Sequence, residues 1–448
     1  MPDAVLSMAN RRVTVLCTGD LHLGRYPARV PTDEESLSVR HVWSRIVDRA
    51  LEMEVDLVAL TGDVIDRANR YFEALGPFQS GIRRLGEAGI DVVAVSGNHD
   101  FDVFTSAADV ADDDRFRLLG RGGRWESLRL RGDYGEIRVV GWSYPTQHVL
   151  RSPVGDLQLQ PDDEVLTIGL LHADLDAPSS RYAPVTSSEL GAAGVDLWLL
   201  GHIHAARSME LGGTAVALYP GSPQALHPGE TGTHGPWIVE VEMGKAPRFR
   251  QLPLATVAYR TVEVDLEGVE GDEEFRSAVP LQVLEDLRRV VEGSEGLARV
   301  VYRLRYTGRT ELHRRLEELS QGLVEDWEEH YDGVVATVDE VESQTAPPID
   351  LEELAGGEDP PALLARALLA IRDGGDDGEA GRLLARVRKA LEEVYRGNAY
   401  RPLLRGGDSP EEIGDEQVRR VAWEEGLKLL DALREQRAGR GGGGGRER

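Results

Sequence analysis

Two imidazoles close an apolar run: LWLLGHIH, residues 197–204, sets His202 and His204 two apart at the end of a strand-like stretch. In extended backbone alternate side chains share a face, so the two rings point the same way and could grip one object. Such a pair is either a pair of metal ligands or two histidines that are solvated or hydrogen-bonded. Other apolar runs end in the same way, carrying Asp20 and His22 (GDLHLG), Asp63 (GDVID), Asn98 and His99 (GNHD) and His172 (LLHAD). Taken singly, an Asp or Asn after a strand is a turn former or a helix cap. Jointly that account fails, because caps do not call for histidine at five of these eight positions.

The donor set narrows the chemistry. It contains no thiolate, and imidazole with carboxylate and amide oxygen suits Mn, Fe or Zn. Eight such side chains exceed the needs of one ion, which indicates two ions roughly 3.5–4 Å apart sharing a carboxylate. Such a pair clamps a phosphate and makes a bridging water more acidic, so the implied reaction is hydrolysis of a phosphate ester.

The elements that must position these groups are apolar β-branched runs alternating with helical stretches. RRVTVLCTGDLHLG precedes a helix at about 34–53, VDLVALTGDVID a helix at about 71–88, and IDVVAVSGNHD follows. IRVVGWS, EVLTIGLLHAD and VDLWLLGHIH come later. Near-continuous apolar strands require cover on both faces, which with the alternation gives an α/β layered fold. Polar clusters at the carboxyl ends of the strands are where such folds place their sites.

DLHLG, GDVIDR, GNHD, LLHAD and GHIH, in this order and spacing, resemble the five motifs of the calcineurin-like metallophosphoesterase superfamily, over about residues 12–250. The resemblance implies a layered αββα sandwich with one ion on Asp20, His22, Asp63 and His204. It puts the other on Asp63, Asn98, His172 and His202, with Asp63 bridging. It leaves His99 as the catalytic histidine, protonating the leaving alkoxide or stabilising the charged transition state. Asp66 matches the position whose acid pairs with that histidine in related phosphatases. Asp100 reads as a cap or a support, and Arg67 as a phosphate contact or a surface ion pair. Downstream, YPGSPQ resembles the SbcD-type nuclease subunit of DNA repair complexes, and HPGETG, GDVIDRANRYFEA and GWSYPTQHV resemble its YhaO-like branch. That resemblance implies a Mn2+-dependent exonuclease and endonuclease acting on DNA, as a homodimer with an SMC-like (SbcC-type) ATPase. The chain has no phosphate-binding loop ending in Lys and Ser/Thr, so an ATP-driven step falls to the partner.

Composition sets limits on this picture. A chain of 448 residues with 41% apolar and 29% charged residues implies two or three globular domains. It has no 18-residue apolar run, and MPDAVLSMANRR lacks a signal-peptide core, so a cytoplasmic protein with no membrane segment is expected. The single cysteine, Cys17, lies in VTVLCT and reads as buried packing. A net charge of −27, with lysine only at 245, 389 and 428, argues against tight DNA binding by this chain alone, though not against a local groove or a metal-centred site.

The expected domains are the phosphoesterase over 12–252 and a small α+β capping domain, DNA-guiding by resemblance, over 253–345. A linker follows over 346–359, then a helical region over 360–438 and a disordered Gly/Arg tail over 439–448. In the cap, DEEFRSAVPLQVLEDLRRVVEG reads as a helix broken or started near Pro280. On the strand ARVVYRLRYTG, Val300, Tyr302, Leu304 and Tyr306 alternate with Arg299, Arg303 and Arg305. That arginine face could meet DNA backbone or lie in solvent. The helical region reads as 361–372, 379–395 and 410–437, the last opened by a capping box from Ser409 to Glu412. Its stripe of Ile413, Val418, Val421, Leu427, Leu430 and Leu433 could dock on the ATPase or pack on this chain. Two other functions fit the same text: a phosphodiesterase for small molecules such as cyclic nucleotides, and a metal-stabilised scaffold for the ATPase.

Overall fold

Apolar runs of four to seven residues have become strands buried on both faces. β1 (Val13–Thr18), β2 (Leu57–Leu60), β7 (Leu166–His172) and β10 (Leu197–Gly201) are almost wholly inaccessible to water. The computed structural model describes residues 12–66, 74–104, 114–160, 162, 164–212, 215–395 and 413–441. They fall into two compact units, 1–346 and 347–448.

In the first unit, β1, β2, β3 (Asp91–Ala94) and β4 (Phe116–Leu118) run parallel; β13 (Trp237–Val241) extends the sheet antiparallel to β1, and β14 (Arg248–Gln251) follows antiparallel to β13. A second sheet is parallel through β6 (Gly135–Trp142), β7, β10 and β12 (Ala215–Tyr219), with β5 (Glu126–Gly132) and β11 (Arg207–Gly212) antiparallel at its edges. A short parallel pair, β8 (Asp174–Leu175) and β9 (Pro184–Val185), lies apart.

Because side chains alternate along a strand, each run serves two cores. Val15, Cys17 and Val93 meet Ile168, Leu170 and Leu199 between the sheets. Leu16, Val58 and Val92 face outward onto α1 (Val39–Glu52) and α2 (Leu75–Glu87), against Trp43, Ile46, Phe78 and Ile82. On the far side Trp198 and Leu200 pack beneath α3 (Ser187–Ala192) and its Leu190. Each large apolar side chain so buried contributes about 1.5–3 kcal/mol. The result is the expected αββα sandwich, a mixed α/β fold. The helix expected from residue 34 starts at Val39, because Ser38 accepts the His41 N–H and a separate 3-10 turn, Glu35–Leu37, precedes it.

The cap is a sheet ordered β15 (Val257–Asp265), β16 (Arg299–Thr307), β18 (Val334–Ser343), β17 (Glu328–Tyr331), with only β17 antiparallel. Helices α4 (Asp272–Glu292) and α5 (Leu316–Glu325) complete it. α4 runs unbroken through Pro280, contrary to expectation. Proline removes one backbone hydrogen bond, but Phe275, Val279, Val283 and Leu287, on both sides of it, are buried in one core. Packing along that face outweighs the missing bond. On β16, Val300, Tyr302, Leu304 and Tyr306 point into this core. Arg303 lies 3.3 Å from Asp339 and 3.2 Å from Glu340, and Arg305 lies 3.5 Å from Glu263 and 3.3 Å from Glu342. Arg299 is buried, 3.5 Å from Glu34 and 3.6 Å from Glu328. The arginine face is thus neutralised by carboxylates that flank it, and it presents no uncompensated positive charge to DNA.

In the second unit, α6 (Leu351–Ala355), α7 (Pro360–Arg372), α8 (Gly378–Tyr395) and α9 (Asp415–Gly441) pack on one another. The expected linker therefore contains a helix, started by Asp350 accepting the Glu353 N–H at 2.8 Å. α9 continues to Gly441, into the segment expected to be a tail. The capping box expected at Ser409 to Glu412 lies outside the described residues. From the α9 stripe, Val418 and Leu430 are buried and Leu427 is half-buried, and Leu430 and Leu427 share a core with Leu351, Ala365 and Leu368. Among the described residues no helix is long and apolar enough to cross a membrane.

Cap and sandwich join through Gln224 of YPGSPQ. Its Oε1 accepts the Thr256 N–H at 2.9 Å and its Nε2 donates to Val257 O at 2.8 Å. Arg45 of α1 adds 2.7 Å bonds to Leu254 O and Glu295 O. Gln224→Ala leaves buried backbone groups at the joint without partners. It is expected to cost about 1–3 kcal/mol, read as a lower urea midpoint of the intact chain.

Candidate metal centre

The carboxyl ends of β1, β2 and β3 in one sheet and of β7 and β10 in the other converge, and every candidate ligand sits at or just beyond one of them. The loops there are sharply bent. Asp20, His22, Asp63 and His202 have φ of 49°, 50°, 48° and 99°, in the left-handed region that side chains disfavour. Such strain, of order 1–3 kcal/mol per residue, gathers at functional sites. Backbone bonds hold the loops together: Asp20 N–H donates to Gly62 O at 2.9 Å and His22 N–H to Asp63 O at 3.0 Å. Two motif glycines are required by close approach. A methyl at Gly97 would overlap Asp63 Oδ1, and one at Gly201 would overlap the Thr61 carbonyl. Buried Asp100 ties two loops, accepting the Val64 and Gly97 N–H groups at 2.7 Å each.

Among the described residues, three groups of ligand atoms come within 4.8 Å of one another: Asp20, His22 and His204; Asp20, Asp63 and His172; and His22, Asp66 and His99. His172 Nδ1 lies 3.0 Å from Thr61 O, while its Nε2 faces Asn98 Oδ1 at 3.1 Å and Asp63 Oδ2 at 3.4 Å. A carbonyl partner puts a proton on Nδ1, so the space between Nε2 and two oxygens calls for another proton or a cation. His22 is buried, and neither of its ring nitrogens has a hydrogen-bond partner. Buried polar atoms left this way are costly. Together with the imidazole, carboxylate and amide set, they fit divalent ions.

Charge balance points the same way. Burial raises the carboxyl of Asp20, opposed by His172 and His204 and reinforced by Asp63. Burial also works against the charged form of Asp63, but the His172 imidazole overcomes it and holds that carboxyl well below the usual range. For His172, burial disfavours the cation, yet Asp63 and Asp20 carry it up to about 9. His202, half-buried beside His172, is pushed down to about 4 by desolvation and by that neighbour. The two buried carboxylates thus draw positive charge into the pocket, and His172 supplies it.

The structure brings together Asp20, His22, Asp63, Asn98, His172, His202 and His204, with His99 at the edge. His99 is exposed, its ring 5.0 Å from that of His22 and its N–H held by Asp63 Oδ1 at 2.8 Å. Asp66 Oδ2 is 3.6 Å from His22 Nδ1 and 3.7 Å from Arg25 Nε, so it serves His22 and Arg25 as well as lying near His99. Arg67 lies outside the described residues. The reading that His202 and His204 point one way along an extended strand is corrected: β10 ends at Gly201, and the φ of 99° at His202 turns the chain. The His202 ring lies 5.3 Å from that of His172, and the His204 ring 5.3 Å from that of His22. Sequence reasoning missed Glu230, 2.6 Å from His204 Nδ1, and Asp174, 3.8 Å from His202 Nε2, although both lie in quoted motifs.

Residues 13–206 match the calcineurin-like phosphoesterase family, and residues 259–346 match the middle domain of metallophosphoesterase YhaO. The chain is 32% identical over 223 residues to the uncharacterized metallophosphoesterase YhaO of Bacillus subtilis, covering 46% of this chain and 50% of that one. It is 33% identical over 290 residues to the DNA double-strand break repair protein Mre11 of Haloferax volcanii, covering 62% and 60%. The corresponding protein of Methanopyrus kandleri is 25% identical over 277 residues, covering 58% and 61%. The chain thus spans between half and three fifths of the length of these relatives. Sandwich, clustered ligands and matched segments agree: residues 13–206 form a calcineurin-like phosphoesterase domain, and residues 259–346 form a YhaO-type middle domain after it.

Proposed function

We propose that the chain is a two-metal phosphodiesterase that cuts DNA phosphodiester bonds in end processing, working as a homodimer with an SMC-like ATPase. The observation that carries this reading is the convergence of seven ligand-type side chains with an exposed His99 beside them. Asp20, His22, Asp63 and His204 would hold one ion, and Asp63, Asn98, His172 and His202 the other. Divalent ions held there, Mn2+ by preference, would supply positive charge for the phosphate oxygens and lower the pKa of the attacking water. Asp63 does double duty, its Oδ1 also accepting the His99 N–H and so fixing the catalytic loop. Partial loss of solvent on the side against the cluster lowers the pKa of His99, with Asp63 opposing, and an arriving phosphate favours its charged form. From the rim of the cluster it can then give its proton to the departing alkoxide. Support for DNA as substrate comes from the Mre11 relatives and from YPGSPQ; the cap would guide DNA by shape and the helical unit would serve the ATPase.

A second reading, hydrolysis of small phosphodiesters, is favoured by the self-neutralised arginines of the cap and the net charge of −27. The two are separated by assaying end-labelled duplex DNA and bis-p-nitrophenyl phosphate side by side, with Mn2+, Mg2+ or chelator. Shortening of DNA that needs both Mn2+ and His99 supports the nuclease. Turnover of the small diester alone, even with the ATPase added, supports the second reading.

Asp63→Ala is expected to lose both ions and all hydrolysis, measured by metal content and diester turnover. His99→Ala is expected to keep the ions and lose turnover by about 10²–10⁴-fold; normal turnover would mean that the site works without its histidine, or that the chain is a scaffold. Truncation after Ala346, at the boundary between the units, should leave diester hydrolysis intact and weaken ATPase capture in a pull-down.

A further inference from the structure

HPGETG, residues 227–232, has no part in the reading above, yet its carboxylate lies against the cluster. Glu230 is buried, and its two oxygens do different work. Oε2 accepts the Leu226 N–H at 2.6 Å, which anchors the carboxylate to backbone. Oε1 lies 2.6 Å from His204 Nδ1, with His227 Nε2 approaching the same oxygen at 3.2 Å from the solvent side. The segment itself is held at both ends: Gln224 clamps it to Thr256 and Val257, and Thr231 bridges to Tyr259 of β15.

A carboxylate acceptor 2.6 Å away requires the proton of His204 to sit on Nδ1. The lone pair is then on Nε2, which faces Asp20 Oδ1 at 3.9 Å, a separation that leaves room for a cation between them. We propose that Glu230 is the positioning residue that fixes the tautomer and orientation of His204 and strengthens it as a donor to a divalent cation held with Asp20 and His22. The inference rests on the two-metal reading and deepens it. It also makes the two halves of the site unequal. His172 in the other half is oriented by a neutral acceptor, the Thr61 carbonyl, and has the neutral Asn98 amide beside it. Loss of Glu230 should therefore weaken one ion and spare the other.

The test is calorimetric titration of Mn2+ into the full-length, metal-stripped chain, for wild type, Glu230→Ala and Glu230→Gln, with melting of each stripped protein as the control for folding. Wild type is expected to take up two equivalents. Glu230→Ala should lose about 10–100-fold in affinity for one equivalent and hold the other unchanged, while melting with wild type when stripped. Glu230→Gln should fall between, since a single amide oxygen cannot serve both Leu226 and His204; it also decides the matter if the alanine variant does not fold. Wild-type affinity for both ions in the variants, or equal loss of both, overturns the positioning role. A wild type that binds no Mn2+ overturns the two-metal reading and this inference with it.

Discussion

Two carboxylates, Asp20 and Asp63, are buried within one group of atoms less than 4.8 Å across, and their mutual repulsion is the constraint on which the rest depends. At such a distance two like charges cost about 4 kcal/mol even in a medium of effective dielectric constant 20. Only nearby positive charge makes the arrangement tolerable. No lysine or arginine ion pair to either carboxylate occurs among the described residues, whereas His172 and His204 approach them. Imidazole is the cation that can give up its proton and turn its lone pair to a metal, so the same histidines serve the stripped and the loaded protein.

Holding that cluster together needs rigid surroundings. Four of its residues sit in left-handed backbone, each a local cost that the loops alone could not sustain. The strands beneath them sustain it. β1, β2, β7 and β10 are buried on both faces, one face toward the partner sheet and one toward helices, so the points from which the loops depart cannot move without disturbing two cores. The glycines before Asn98 and His202 show how tightly the loops then close, for neither has room for a methyl group. Sequence, strain and packing meet here: the apolar runs fix where the loops begin, and the loops fix where the ligands end.

This division explains what could be read in advance. Asp20, His22, Asp63, Asn98, His172, His202 and His204 were legible because each follows its apolar run directly, so residue type and position carried the information. The layered sandwich was legible for the same reason. Glu230 was not, since it reaches His204 across 26 residues and through a loop whose path depends on the cap. The continuity of α4 was hidden because proline has a local penalty while the burial that offsets it is tertiary. The turn at His202 was hidden by the extended reading of LWLLGHIH, which treats the strand as continuing past its last ladder residue, Gly201.

The cap illustrates the limit of reading one strand by itself. Alternation on β16 correctly separates Val300, Tyr302, Leu304 and Tyr306 from the arginines, and by itself leaves a positive face. Register changes that conclusion: Arg303 pairs with Glu340 and Arg305 with Glu342 across one ladder, while Glu263 lies opposite Arg305 across the other. Cross-strand partners of opposite charge turn a basic stripe into a neutral surface that stabilises the sheet. Arg299, Arg303 and Arg305, each already facing carboxylates, therefore add little to the hold on any polyanion that lies along this face.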